Sequence, residues 1–284
     1  MSCNHLCIVG LGMIGGSLAG ALKQHDFPGR ISTLVRRAST GERGIELGLV
    51  DEFSTDPAKL IPRADMVLLA VPMLSMRQQM QAIVSHLTPA AIVTDAGSVK
   101  STFIDDARAV LKDMSRVVPG HPIAGREKTG VDAADPTLYI NRRVLLTPID
   151  ETSQEAINAV QRIWELAGAT VESLTPEHHD RVLAATSHLP HILAYALVDT
   201  LATQQEAEEI FRYAAGGFRD FSRIASSDPV MWRDVCLCNR DAILQSMDRL
   251  DEHMKLLRRA IATSDAEAIE NILTRAKASR DAFI

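Results

Sequence analysis

One histidine in this chain sits where an imidazole could move a proton. His121 lies between Gly120 and Pro122, with Gly125 four residues on, inside the run VPGHPIAGRE over residues 118–127. Pro122 has no backbone donor and glycine permits backbone that other residues avoid, so the run reads as a stiff turn. Arg116, Val117 and Val118 before it read as a short buried strand. His121 is then held at a strand's carboxyl end, where open α/β sheets keep their ligands. A neutral imidazole near pH 7 can take a proton from a hydroxyl. A histidine can equally do no more than satisfy a turn, and the residues around it decide between the two.

A cofactor site precedes it. The apolar run His5, Leu6, Cys7, Ile8, Val9 leads into Gly10, Leu11, Gly12, Met13, Ile14, Gly15, and a helical pattern follows through Leu18, Ala19 and Leu22. This is G-x-G-x-x-G with a strand before it and a helix after it, the context in which the motif binds a dinucleotide. Gly10 makes the tight turn, Gly12 lets a pyrophosphate approach the backbone, and Gly15 lets the helix pack on the strand. The phosphates would rest at the helix N-terminus, on its unpaired N–H groups. A second strand over residues 31–35 ends in Arg36, Arg37, Ser39 and Thr40, where an NAD site usually carries an acid for the ribose 2′-hydroxyl. Guanidinium and hydroxyl groups suit a 2′-phosphate, so NADP is favoured over NAD. Ala70, Val71 and Pro72 close a buried strand and would border the nicotinamide. Ser98, after a strand over residues 91–95, is either an N-cap or a hydroxyl beside the nicotinamide.

Basic and aromatic groups follow in the second half. Ser187, His188, Pro190 and His191 interrupt an apolar helix, with Pro190 bending it and the two histidines three apart. Arg219 and Arg223 fall four apart after the pair Gly216 and Gly217, close to Trp232, one of two tryptophans. Together they read as an anion clamp. His178 and His179 suggest a metal, but no carboxylate pattern completes a catalytic set, and none is expected.

The elements that must position these residues divide the chain in two. Strands alternate with helices to about residue 172, which predicts a doubly wound parallel sheet of Rossmann type. From Thr175 the pattern is helical only, beginning with a hydroxyl cap and Pro176. The expected domains are therefore 1–172, dinucleotide-binding, and 173–284, a helical substrate-binding and dimerisation domain. The 284 residues are 46% hydrophobic, 23% charged and 4% aromatic with net charge −6, which argues against a general nucleic-acid binder. Cys3, Cys7, Cys236 and Cys238 form no CxxC pair and read as reduced thiols. The apolar N-terminus lacks a basic leader and is rich in glycine, unlike a signal peptide or a membrane span. A soluble, cytoplasmic protein with no membrane partner is expected.

The segments over residues 10–17, 95–100, 120–130, 187–191, 216–223 and 227–232 jointly resemble the prephenate/arogenate dehydrogenases, also called cyclohexadienyl dehydrogenases. The blocks GHPIAG, SHLPH and GFRDFSRIASSDPVMW carry the likeness most specifically. The resemblance implies a Rossmann domain followed by a helical dimerisation domain, with each active site at their junction. It implies that His121 is catalytic and that Ser98 assists it. It further implies that Arg223 binds a substrate carboxylate, that His191, Ser187, Arg219 and Trp232 line the pocket, and that Glu127 gates it. No fused mutase or regulatory module is expected. The reaction would be oxidative decarboxylation in tyrosine biosynthesis. An ammonium on arogenate replaces the keto group of prephenate, so an acidic residue would favour arogenate, and Asp132 is the candidate reader. Two rivals share the plan: a β-hydroxyacid or imine oxidoreductase, which usually relies on a helical-domain lysine absent from residues 173–230, and a non-catalytic NADP-binding sensor.

Overall fold

The structure is a computed structural model and describes residues 3–126 and 128–283. The first strand, β1 (His5–Val9), is buried along its whole length and is flanked on both sides by parallel partners. Buried on both faces, it reads as a continuous apolar run rather than an alternation. Next come α1 (Met13–Gln24), β2 (Arg30–Leu34), α2 (Ala38–Glu46), β3 (Glu52–Ser54), α3 (Pro57–Leu60), β4 (Met66–Leu69), α4 (Met76–Ile83), β5 (Ile92–Asp95), α5 (Lys100–Val110) and β6 (Val117–Val118). The six strands form one parallel sheet in the order β3-β2-β1-β4-β5-β6. This is the dinucleotide-binding order, with its reversal between β1 and β4. Val9, Leu34, Leu69 and Asp95 share register, so the turns after these strands meet along one carboxyl edge.

The remaining strands do not extend that sheet. Pro119 supplies no donor after β6, and the chain turns into a second, three-stranded sheet made of β7 (Gly120–Pro122), β8 (Arg143–Leu146) and β9 (Thr170–Ser173). His121 therefore sits on β7, a short strand paired antiparallel with β8 opposite Leu145, rather than on the stiff turn expected. Helix α6 (Gln154–Leu166), capped by Ser153, buries Trp164 edge-on against Tyr139.

Helix α7 (Pro176–Leu183) starts as the sequence predicts, with the Thr175 side chain accepting from His178 N. The expected long apolar helix is interrupted by a π-helical segment, Ala184–His188, before α8 (Leu189–Ala202). Pro190 cannot donate to a carbonyl one turn back, and a π-bulge is one way a helix absorbs that loss. Further on come α9 (Ala207–Arg212), α10 (Gly216–Ser222), α11 (Pro229–Cys238), ending at Asn239, and α12 (Arg240–Ala262). The last helix is α13 (Ala266–Phe283).

Residues up to Arg240 form one compact unit, and those from Asp241 form a second made of α12 and α13. Residues 173–240 belong with the Rossmann sheet because specific bonds tie them to it. Asp180 of α7 accepts from the first N–H groups of α5, and Asp234 of α11 accepts from Leu74 N after β4. Among the described residues, no helix is long and apolar enough to cross a membrane, and no group of His, Cys, Asp and Glu is clustered to hold a metal ion.

Candidate active site

A cleft of about 510 Å³ opens at the carboxyl edge of the large sheet, lined by loops of that sheet, by β7 and by helical residues between Ser187 and Val235. Gly12, Met13 and Ile14 form one end, and Ala70, Val71 and Pro72 adjoin them. Gly10 has φ +93°, and a Cβ there would meet Ala70 O at 2.6 Å, so the turn admits only glycine. A Cβ on Gly12, the N-cap of α1, would meet nothing within 4 Å. The helix N-terminus thus faces open space next to a tight glycine turn, which fits a pyrophosphate. Leu11 instead turns its side chain into the core against Gly44. Gly10 N donates to Leu34 O, so the loop starts beside the end of β2, and Arg36, Arg37 and Ser39 are exposed just beyond it. Thr40, half-buried, lies in the first turn of α2. These four lie outside the cleft proper, at the adenosine end of such a site.

His121 is 9% exposed and borders the cleft. Its position is fixed by a wholly buried ion pair. Asp95, the last residue of β5, accepts from Gly97 N at 2.8 Å, from Gly120 N at 3.0 Å and from the Lys100 ammonium. Lys100 Nζ also donates to Gly120 O at 2.7 Å. Both backbone groups of Gly120 are therefore pinned, and the same carboxylate holds the turn that carries Ser98. Ser98 is half-buried in the cleft and is not the helix cap, since Val99 occupies that position without a side-chain bond. Burial drives the His121 pKa well below its ordinary value, reinforced by the neighbouring His179, Lys100 and His188. The imidazole is neutral at pH 7, the state a proton acceptor needs.

The helical wall gathers Ser187, His188, His191, Arg223 and Trp232. Residues 187, 188 and 191 share one helix face. His191 stacks on Trp232 with ring centroids 3.8 Å apart, and its Nδ1 donates to Ser187 O at 2.9 Å. His188 packs edge-on to the same indole and is held by Asn239 Nδ2 at 3.1 Å. Burial pushes the His188 pKa down to about 4. Trp232 Nε1 and His188 Nε2 are buried without a hydrogen-bond partner among the described residues.

Two of the expected substrate residues are not brought into the cleft. Arg219 is exposed on α10 and does not border it. Asp132 pairs with Arg43 of α2 at 2.7 Å, on the far side of Gly130, with both side chains largely exposed. Glu127 falls outside the described residues. Other residues were not singled out by sequence reasoning: Asp95, Lys100, Asp180 and Asn239, which form a bonded scaffold with His179, weighed there only as a metal ligand, and Arg126 and Lys128 on the cleft wall. An acid directly after paired histidines was the one local hint of the scaffold. The rest depends on pairings between distant segments.

Comparison with known proteins bears out the resemblance. Residues 18–173 match the prephenate dehydrogenase nucleotide-binding domain, and residues 175–275 match the prephenate dehydrogenase dimerization domain. The chain is 37% identical over 265 residues to the cyclohexadienyl dehydrogenase of Zymomonas mobilis, covering 93% of this chain and 90% of that one. It is 34% identical to the prephenate dehydrogenase of Bacillus subtilis, covering 97% of this chain and 75% of that one. The prephenate dehydrogenase from A. aeolicus in complex with hydroxyphenyl propionate and NAD+ superposes with a TM-score of 0.94 at 37% identity, covering 100% and 99% of the two chains. Synechocystis arogenate dehydrogenase superposes with a TM-score of 0.83 at 30% identity, covering 99% and 100%. The chain belongs to the prephenate dehydrogenase family, nicotinamide-dependent oxidoreductases with a nucleotide-binding domain followed by a helical dimerization domain.

Proposed function

We propose that this protein oxidatively decarboxylates prephenate, arogenate or both, with His121 as the base, and that it uses NADP in preference to NAD. The observation that carries the reading is a neutral, buried imidazole on the wall of the cleft that the glycine turn opens into. A dinucleotide held at the glycine turn, Gly10 to Gly15, would supply the acceptor for the hydride of substrate C4. His121 takes the proton of the C4 hydroxyl, so the C4–O bond becomes a carbonyl as the hydride departs. The bond from the ring to its carboxylate then breaks, CO2 leaves, and its electron pair completes the aromatic ring. Ser98, on the turn that Asp95 holds, donates to the developing carbonyl oxygen.

The substrate carries two carboxylates, and Arg223 with Arg126 and Lys128 gives the cleft its cations. The stacked pair His191 and Trp232 supplies a flat apolar wall with a polar edge for the ring. Residues 1–172 serve the dinucleotide, and residues 173–284 serve the substrate and a homodimer. Glu127 keeps the gating role that the family resemblance implies, and Arg219 lies ready for a ligand or a partner subunit at the rim. Arg36, Arg37, Ser39 and Thr40 take the 2′-phosphate, there being no acid directly after β2 to receive a free 2′-hydroxyl. Four free thiols suit a reducing cytoplasm.

The test is the absorbance of reduced nicotinamide with prephenate or arogenate crossed against NAD+ and NADP+. Turnover with either substrate, faster with NADP+, is expected. No turnover in any of the four mixtures, from folded protein that binds the dinucleotide, contradicts the reading. Faster turnover with NAD+ would overturn the assignment of Arg36 and Arg37 alone.

A further inference from the structure

The first turn of α5 receives its cap from another helix. Asp180 Oδ1 accepts from Lys100 N and Asp180 Oδ2 accepts from Ser101 N, each at 2.9 Å. The carboxylate is 5% exposed and lies at the positive end of the α5 dipole. Burial alone would raise its pKa, but bonds from His179, Lys100 and Ser101 outweigh it and hold the group below the usual carboxylate range. An ionised carboxylate can only accept.

The tautomers of two histidines follow from that one fact. His179 Nδ1 lies 2.8 Å from Asp180 Oδ1 and must donate to it. His179 is fully buried, and burial keeps its ring neutral despite the adjoining acid. A neutral imidazole carries one proton, so His179 Nε2 is an acceptor. His121 Nδ1 lies 2.9 Å from it and must be the donor. The reverse arrangement would set two lone pairs against each other in a dry site, an unpaired contact that folding penalises. The groups around His121 do not compete for this bond. Lys100 and Asp95 are engaged with each other and with Gly120, and His188 is held by Asn239.

We propose that Asp180 and His179 are positioning residues that keep the proton of His121 on Nδ1, leaving the Nε2 lone pair for the substrate hydroxyl. The proposal rests on the reading of His121 as the base. Once Nε2 has taken the substrate proton, the Nδ1–H bond to His179 also supports the positive ring. No bond to substrate or cofactor is needed from either residue, so their effect falls on kcat rather than on KM.

The experiment combines nitrogen NMR of histidine-labelled full-length protein with kinetics of three variants, His121→Asn serving to assign the His121 signals. The wild-type His121 ring should show a protonated Nδ1 and a bare Nε2 at pH 7. His179→Leu, which offers no acceptor, should lower kcat about 10- to 100-fold, change KM less than about threefold, and move the His121 proton toward Nε2. His179→Gln, whose amide oxygen can accept from Nδ1, should restore kcat to within about fivefold of wild type. A wild-type ring protonated on Nε2 overturns the proposal even if His179→Leu fails to fold. So does a folded His179→Leu enzyme with wild-type kcat and an unchanged His121 spectrum while His121→Asn is dead. If His121→Asn itself keeps wild-type turnover, the base assignment fails, which is a different result from either of these.

Discussion

The two walls of the cleft are built by opposite means. The His121 wall is dry and bonded throughout, with Asp95, Lys100, His179 and Asp180 all buried and each bonded at least twice. The facing wall buries His188 and Trp232 but leaves Arg223 and Met231 exposed, with Asp228 capping α11. A group that must meet a reacting atom is fixed in a buried network before the ligand arrives, whereas the charged and apolar groups that gather the ligand stand exposed at the opening. The difference explains why so much buried charge is concentrated around one short strand.

Breaking the inner wall should therefore cost far more than trimming the outer one. Lys100→Met leaves the fully buried Asp95 without its cation, and denaturant unfolding should show a loss of about 3–5 kcal/mol. Met231→Ala on the open rim should change stability by less than about 0.5 kcal/mol in the same measurement. A comparable loss in both variants would erase the distinction.

Acid should attack the buried histidines of both walls. His188, pushed down to about 4 from 6.5, stays neutral in the fold while the unfolded chain takes up its proton. The unfolded state then binds more protons between those two values, so stability falls as pH drops through that window. His188 alone contributes about 3 kcal/mol to this loss, with His121 and His179 acting in the same direction. Thermal melts at pH 7.5 and 4.5 should show the fall, and a flat profile would deny the buried, neutral cluster.

Smaller effects sharpen the picture at the edges. Replacing Arg36 and Arg37 with alanine should weaken NADP+ by about 1.5–3 kcal/mol while leaving NAD+ nearly unchanged, as read by titration of each dinucleotide. Asp132→Asn removes an exposed ion pair with Arg43 outside the cleft, and should shift stability by less than about 1 kcal/mol. It should leave the prephenate-to-arogenate rate ratio unchanged, contrary to the expectation drawn from its position in the sequence.

How well each part could be read follows from how far apart its residues lie. The glycine turn is contiguous, from Gly10 to Gly15, and its strand and helix lie on either side, so motif and context were visible together. His121 was legible from its own neighbours, Gly120 and Pro122. Its scaffold was not, because Asp95, Lys100, His179 and Asn239 come from four separate segments and carry no periodicity that marks them as partners. Pro190 predicted a disturbed helix, yet the π-segment that carries Ser187 and His188 follows from packing as well as from the missing N–H. Asp132 follows His121 closely along the chain, but after the turn at Gly130, with φ +90°, it pairs with Arg43 of α2, a partner that nothing in the local sequence marks.

The central claim is that His121 performs the chemistry and does not merely hold the cleft together. The most direct measurement is His121→Asn, with NADP+ binding followed by titration and turnover followed by nicotinamide absorbance on one preparation. The account predicts dinucleotide affinity within about threefold of wild type and turnover reduced by about 10²–10⁴-fold. Turnover that survives alongside intact binding would contradict it.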